Sequence, residues 1–519
     1  MKAICYGLTA LAGMIVIAQT AQAQVIISGH KTLNMQCSGG VCAPTASTAY
    51  LNIGDLTRML AQENVTVGTN AAAPDIVSNA PFSWGSTFGL TLEAIGNLTI
   101  NHMISDTGPG PVQLIYNASG GGGMLSFGPT ATARLTFANL SAPLSINGQA
   151  YTLVNTLAAL ARYIADNPAG DYALAAGYNA THDGKYTHSP IPTPFQGNFE
   201  GLGNTISRLH VVESQEGSQG SGLFKQTTQT ANIENLRLTS TKLQINGNSV
   251  VGGLVDDNQG TLFSNSFDGD IGLVVSSGDY CYIGGLVGIN EGEITYSHAG
   301  GSVSVSTNTG TYSICYAGGL VGQATNDGSV QYSYALSSVT ATVQQLGAAL
   351  TGGLIGEFVS SNHPIDHTFA TGAVTLNGGG DGGGLIGYNS GNGTLSNSSA
   401  SGSVTANGDG SEYLGGLMGA TDSGGTVDAT VATGAVSGGP NCFCGGAIGF
   451  ANTTVNDSVS YGTVNVGTGG FFLVGGFVGD VNSGTSFSND GWDMTTSNIK
   501  DPSKGAGNIA WYPGITGFN

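Results

Sequence analysis

The sequence predicts an all-β chain, a parallel β-solenoid with one short helix inserted near residues 155–166. Three observations predict it. A glycine pair followed by aliphatic residues, as in "IGGLVGINEG" at 283–292, occurs eight times at a nearly fixed period. The segments between are β-branched, strand-sized and punctuated by Gly, Ser and Asn. Glycine supplies 86 of 519 residues and charged residues only 8%, against about a quarter in ordinary globular chains.

The chain opens with a secretory pattern: Lys2, an apolar stretch over 4–18 and an Ala21-Gln22-Ala23 cleavage site. The stretch is too short for a good membrane span, so the reading is a signal peptide at 1–23, cleaved after Ala23. No second run of spanning length follows, and the mature protein is expected to be soluble or peripherally attached. The formal charge of -20 argues against nucleic acid and anionic membranes as partners. It permits Ca2+ binding without indicating a site. Hydrophobic residues at 40% also separate the chain from ordinary disorder.

The glycine anchors start at Gly252, Gly284, Gly318, Gly352, Gly383, Gly415, Gly445 and Gly475, with a degenerate copy at Ser221. Successive spacings are 31, 32, 34, 34, 31, 32, 30 and 30, which means fixed segments joined by loops of variable length. After each anchor comes a second segment, such as "GEITYSHAGGSV" or "GSVQYSYALSSV". None has a helical period, so each unit reads as three short strands. One unit cannot bury a face alone, whereas stacked units can. Each strand then pairs with its own copy in the next coil at the ~4.8 Å strand spacing.

Columns within the chain mark the interior. The leucines after the anchors are Leu254, Leu286, Leu320, Leu354, Leu385 and Leu417, then Ala447 and Phe477. A hydroxyl column holds Ser297, Ser333, Thr368, Ser398, Thr430 and Ser458, and its buried oxygens need partners. Two residues further stand Ala299, Ala335, Ala370, Ala400, Ala432 and Ser460. The anchor glycines are expected to serve positive φ or close backbone approach. Cys281 and Cys315 share one offset in adjacent coils, which puts them within disulfide range. Cys37 and Cys42 are expected to close a small loop. Cys442 and Cys444 are either a local pair or free thiols.

Before the repeats, strand-like phrases ("VTV", "LTL", "LTI", "VQLIY") recur over 64–146 at shorter intervals, as in a solenoid of smaller coils. A short helix over 55–62 precedes them. The inserted helix has Asn155 as a plausible N-cap, Leu157, Leu160, Ala161 and Ile164 on one face, and "NPAG" at its end. It is expected to pack on the side of the rod or over a coil edge. The resulting division is 1–23 signal peptide, 24–150 N-terminal β-helix, 151–212 helix and connector, 213–489 repeat solenoid and 490–519 tail.

"GGLVG" followed by Ile-x-x-Ser-x-Ala-x-Gly-x-Val resembles the GLUG repeat of filamentous-haemagglutinin-like secreted proteins. "NVTVGTNAAAPDIVSNAPFSWGSTFGLTLEAIGNLTIN" is similar to a haemagglutinin-type β-helix. "FQGNFEGLGNTISRLHV" and "GWDMTTSNIKDPSKGAGNIAWYPGITG" resemble the leader and tail of GLUG arrays. The resemblance covers nearly the whole mature chain. It implies a right-handed parallel β-helix exported to the cell surface or medium, with the periplasm as the alternative location. Adhesion to host or self cell surfaces, through a glycan or protein receptor, is the implied role, and an outer-membrane secretion partner comes with it.

No catalytic motif, metal site or cofactor signature stands out. There is no HExxH and no G-x-S-x-G elbow, and "HPIDH" lies in a Pro-containing loop-strand segment. Outward positions are more informative. Tyr296 and His298, Tyr332 and Tyr334, and His367 and Phe369 hold equivalent places in three consecutive coils and form the candidate ligand-binding stripe. Aromatic ladders bind sugar rings or protein surfaces; they also simply stabilise a sheet face. Glycosidic cleavage needs two carboxylates at a defined separation, and Glu291, Glu293, Asp366, Asp428 and Asp457 are scattered. The expectation is a non-enzymatic adhesin-like protein. The alternatives are a polysaccharide-degrading β-helix enzyme and a passive surface-layer spacer.

Overall fold

The structure, a computed structural model, describes residues 23–213, 220–247, 250–275, 280–308, 313–344, 347–359, 363–408, 412–422, 424–467 and 472–519. The expected signal segment, Ala23 apart, lies outside them. The chain divides into two compact units, the first ending at Ala150 and the second beginning at Tyr151.

The first unit is a parallel β-solenoid of small, three-walled coils. One wall stacks Thr48–Asn52, Gln24–Ser28, Asp75–Ser78, Leu98–Ile100 and Leu125–Phe127. A second stacks Val65–Gly68, Leu90–Glu93, Val112–Ile115 and Leu144–Ile146, and a third Phe82–Trp84, Ile104–Asp106 and Leu135–Phe137. Alternate residues, such as Ile76, Leu98 and Leu125, point inward and are buried. One antiparallel hairpin, Met35–Ser38 with Val41–Pro44, carries the Cys37–Cys42 disulfide. Helix α1 spans Ile53–Leu60 and starts two residues earlier than its sequence pattern predicted. The Asn52 side chain sets that start by accepting from the amides of Gly54 and Asp55.

The second unit is the repeat solenoid, and all its named strand pairings are parallel. Its coils have four walls rather than the three strands per unit expected. In the coil from Tyr280 they are wall 1 (Tyr280–Gly284), wall 2 (Val287–Asn290), wall 3 (Glu293–Thr295) and wall 4 (His298–Thr307). From the next coil onward wall 4 breaks in two, as in Tyr334–Ala335 and Ser338–Thr342. The fourth strand escaped the sequence pattern because the glycine anchor is a bend between two strands. The residues before it, "YCYI" in this coil, belong to a strand in their own right.

Copies stack in register. The amides of Leu286, Leu320 and Leu354 donate to the carbonyls of Leu320, Leu354 and Leu385 at 2.9, 2.9 and 2.8 Å, and the four side chains are fully buried. Cys281 faces Cys315 across walls of adjacent coils and is bonded to it, with Cα atoms 4.6 Å apart. Cys442 and Cys444 are bonded to each other. The anchor glycines have ordinary negative φ, so close approach alone explains them. A Cβ on Gly319 would run into the carbonyl oxygen of Gly353 and stand 3.0 Å from the Cβ of Ala335, which reaches across the core from wall 4. The glycine and alanine columns are therefore one contact repeated along the stack.

Helix α2 spans Leu157–Asp166 and buries Leu157, Leu160 and Ile164 in the main core of this unit. Its cap is Thr156, whose Oγ1 accepts from the amide of Ala159 at 3.2 Å, not Asn155 as the sequence pattern indicated. Buried polar columns satisfy one another: Thr227 donates to Asn258 and Asn258 to Asn290, each at 2.7 Å. Among the described residues, no helix is long and apolar enough to cross a membrane.

Candidate functional site

The corner between walls 3 and 4 is built from three consecutive residues. Thr295 ends wall 3, Tyr296 turns the chain with φ 51°, and Ser297 tucks into the interior. The hydroxyl column pins this corner. Ser297 Oγ donates to the carbonyl of Thr295 at 2.9 Å, while its amide donates to Ser333 Oγ of the next coil at 3.0 Å. Ser333, Ser398 and Ser458 likewise donate two residues back, at 2.8, 2.6 and 2.8 Å. The inward serine thus fixes where the residues on either side of it must project.

Those flanking residues are the predicted stripe, and the structure brings all six together as two parallel ladders. On the corner itself, the Tyr296 and Tyr332 rings lie 5.1 Å apart at 7°, and Tyr332 and His367 lie 4.9 Å apart at 25°. Beside it, His298 and Tyr334 are 4.7 Å apart at 3°, and Tyr334 and Phe369 are 4.6 Å apart at 6°. Phe263, one coil earlier, closes the first ladder edge-on to Tyr296 at 5.5 Å. Phe263 is the register partner of Thr295 on wall 3 rather than of Tyr296, so aligning "TLFSNSF" with "EITYSHA" leaves it out of the stripe.

The corner position has an unusual backbone. Tyr296, Tyr332 and His367 have φ of 51°, 49° and 52°, as do their equivalents Asn235, Ser264, Asn397, Ala429, Asp457 and Asn489, at 48° to 62°. Left-handed backbone favours Gly and, among other residues, Asn, Asp and His, whereas a bulky residue such as Tyr is an outlier there. Most coils of this column use small or Asn/Asp residues; three consecutive coils use rings.

The ladder is partly open to solvent: Tyr296 is 42% exposed. Burial lowers the pKa of His298, so the ring is neutral near pH 7, and burial raises those of Tyr296 and Tyr334. His367 Nδ1 meets Asp366 Oδ2 at 2.6 Å. Asp366 resists the upward pull of burial because Ser396, Asn397 and His367 bond to it, and its pKa falls below the usual value. His363 Nδ1 faces Asp327 Oδ1 at 3.6 Å. Among the described residues, no group of three or more His, Cys, Asp or Glu could hold a metal ion. Asp366 and Asp428 share the outer column of wall 3 but are two coils apart, with Ser396 between them.

A second aromatic cluster on walls 1 and 2 escaped the sequence reading. Tyr282 and Tyr316 stack at 5.0 Å and 6° beside Glu357, which bonds to Gln323 and Ser390 at 2.6 and 3.0 Å. Its members come from segments on opposite sides of the glycine bend, so no single repeat phrase displays them together.

Comparison with known proteins adds one family. The model of the GLUG motif matches residues 279–304 and 313–340, which contain Tyr296, His298, Tyr332 and Tyr334. Among solved structures, an IgA1 protease aligns at 15% identity with a TM-score of 0.32, over 64% of this chain and 20% of its own. The chain therefore spans about a fifth of that protein. No curated protein matches.

Proposed function

We propose that this GLUG-motif β-solenoid is an exported, non-enzymatic adhesin-like protein that holds a glycan or protein receptor on host or self cells through the aromatic ladder. One observation carries the reading. The solenoid closes its wall 3–wall 4 corner with Asn, Ser, Ala or Asp in six coils, yet places Tyr, Tyr and His there in three adjacent ones. Strained backbone concentrates at functional sites. The rings give a continuous strip about three coils long, with phenol hydroxyls as donors and acceptors at its edge. Sugar rings or the apolar face of a protein fit such a strip.

The test is binding of the purified full chain to a glycan panel and to intact cells. Replacing Tyr332 and Tyr334 together by alanine should weaken capture at least about tenfold, since two hot-spot rings are each worth ≥ ~1 kcal/mol. Thr405→Ala, on wall 4 outside the ladder, should leave it unchanged. Equal binding by all three proteins would defeat the proposal. Turnover of a glycan, abolished by one carboxylate substitution, would replace it with the polysaccharide-degrading alternative. Export to the surface or medium, with or without an outer-membrane partner, belongs to the same proposal and is checked by cell fractionation.

A further inference from the structure

Wall 3 carries a pair of carboxylates that the ladder does not use. Glu200 and Glu234 are register partners on Asn198–Glu200 and Asn232–Glu234, one strand spacing of about 4.8 Å apart. Phe199 and Ile233, the residues before them, point into the core, so both glutamates leave the sheet on its outer side. Glu200 is nevertheless only 3% exposed. One of its oxygens accepts from the Leu202 amide at 2.8 Å and the other from Asn235 Nδ2 at 3.2 Å. Glu234 faces no ion-pair partner among the described residues. Burial and the neighbouring carboxylate push the pKa of Glu200 up; burial alone pushes that of Glu234 up. Among the described residues neither glutamate forms an ion pair.

Asn235 supplies an independent observation. Its backbone sits at φ 54°, and its side chain is 2% exposed. The amide nitrogen reaches Glu200, but Oδ1 is buried without a partner. Buried acceptors are rarely left unpaired, and each exception asks for an unseen ion, water or role. A half-turn of this amide would exchange its two atoms and put the oxygen where the nitrogen now meets Glu200.

With the amide in that turned position, the two carboxylates and the Asn235 oxygen make an all-oxygen donor set. Such donors suit hard cations, and without thiolate or imidazole they do not suit zinc or copper. Magnesium demands a tight octahedron, whereas calcium accepts irregular sets of carboxylate, amide and water oxygens. We propose that Glu200, Glu234 and Asn235 hold one Ca2+ ion that ties two adjacent coils together, with Glu234, the more exposed residue, on the entry side and water completing the shell. The two glutamates are 34 residues apart in sequence, which is why no ligand motif announces them.

Calorimetric titration of the metal-stripped full chain with CaCl2 at physiological salt tests the site. The expected result is one saturable site, weaker for MgCl2, together with a higher thermal midpoint in calcium. Glu234→Gln should lower the calcium affinity at least tenfold. Asp428→Asn, on the same outer column, should not change it. Asn235→Asp, which keeps a residue tolerant of positive φ and adds a carboxylate, should tighten it. No saturable heat and no midpoint shift would overturn the proposal. So would equal losses in Glu234→Gln and Asp428→Asn, which mean diffuse attraction to an acidic chain. A calcium-independent gain in midpoint for Glu234→Gln would mean that the pair shares a proton instead, and would overturn it as well.

Discussion

Replacing Tyr332 by asparagine and by alanine separates the two energies that meet at the ladder. Tyr332 holds φ 49°, and left-handed backbone costs an ordinary side chain about 1–2 kcal/mol, less for Asn. Against this stand two stacks, on Tyr296 at 5.1 Å and on His367 at 4.9 Å. Each is worth about 0.5–1.5 kcal/mol beyond area burial, or roughly 1–3 kcal/mol together. Tyr332→Asn loses the stacks but recovers part of the backbone cost, for a net loss of about 0–2 kcal/mol. Tyr332→Ala loses the stacks with no such recovery, about 1–3 kcal/mol. The expected order of stability is Tyr, then Asn, then Ala, read from urea midpoints by circular dichroism. A double-mutant cycle with Tyr296→Ala should give a coupling of about 0.5–1.5 kcal/mol. An alanine variant as stable as the parent, or additive Tyr296 and Tyr332 substitutions, would refute the balance.

Other perturbations follow from the same structure. Leu320→Ala removes a fully buried side chain lying between Leu286 and Leu354 and should cost about 3–5 kcal/mol in urea unfolding; a loss under about 1 kcal/mol would mean the column is not close-packed. Serine at both Cys281 and Cys315 opens a loop of sequence separation 34, for which chain entropy gives about 4 kcal/mol; unchanged stability under oxidising conditions would show that the bond does not form. The pH dependence should also be unusual. Burial pushes Asp106, Asp257 and Asp490 up to about 6 and Asp256 and Asp381 up to about 7. The folded chain therefore keeps protons that the unfolded chain releases above pH ~4. Stability from these groups is full below that pH and is lost as pH rises through 6 and 7. The urea midpoint should fall between pH 5 and pH 8 and level off above; a midpoint that rises over this interval would contradict the burial of these carboxylates.

Much of this fold is legible because a stacked coil makes each residue meet its own copy. Leu286, Leu320 and Leu354 repeat in the sequence because their strands stack in register, and the hydroxyl column recurs because its serines pin the corner while Thr368 and Thr430 bond to the serine of the next coil. The pair Cys281–Cys315 and the six stripe residues follow from the same register. Strand number was less legible. Residues before the anchor vary from "YCYI" to "NCFC", since one side of wall 1 faces outward, and the glycine bend hides a strand on each flank. The anchor glycines also mislead about φ: the left-handed corner belongs to Tyr296 and its equivalents, where Asn235, Asn397, Asp457 and Asn489 carry the signal and the two tyrosines hide it. Glu200 and Glu234 stayed hidden for a different reason. They lie where the repeat is still degenerate, and no column exists against which to notice them.

In-register stacking is tested most directly by engineered cross-links on wall 4. Ser304 is the register partner of Thr340, and Thr340 of Thr375. Cysteines at 304 and 340 would sit about 4.8 Å apart by strand spacing, within disulfide range. Cysteines at 304 and 375 would be about twice that distance, beyond the limit of about 7 Å. Peptide mapping after mild oxidation should find the Ser304→Cys/Thr340→Cys bond in high yield and none in Ser304→Cys/Thr375→Cys. Equal yields from both proteins, or a bond only in the second, would contradict the register on which the ladder depends.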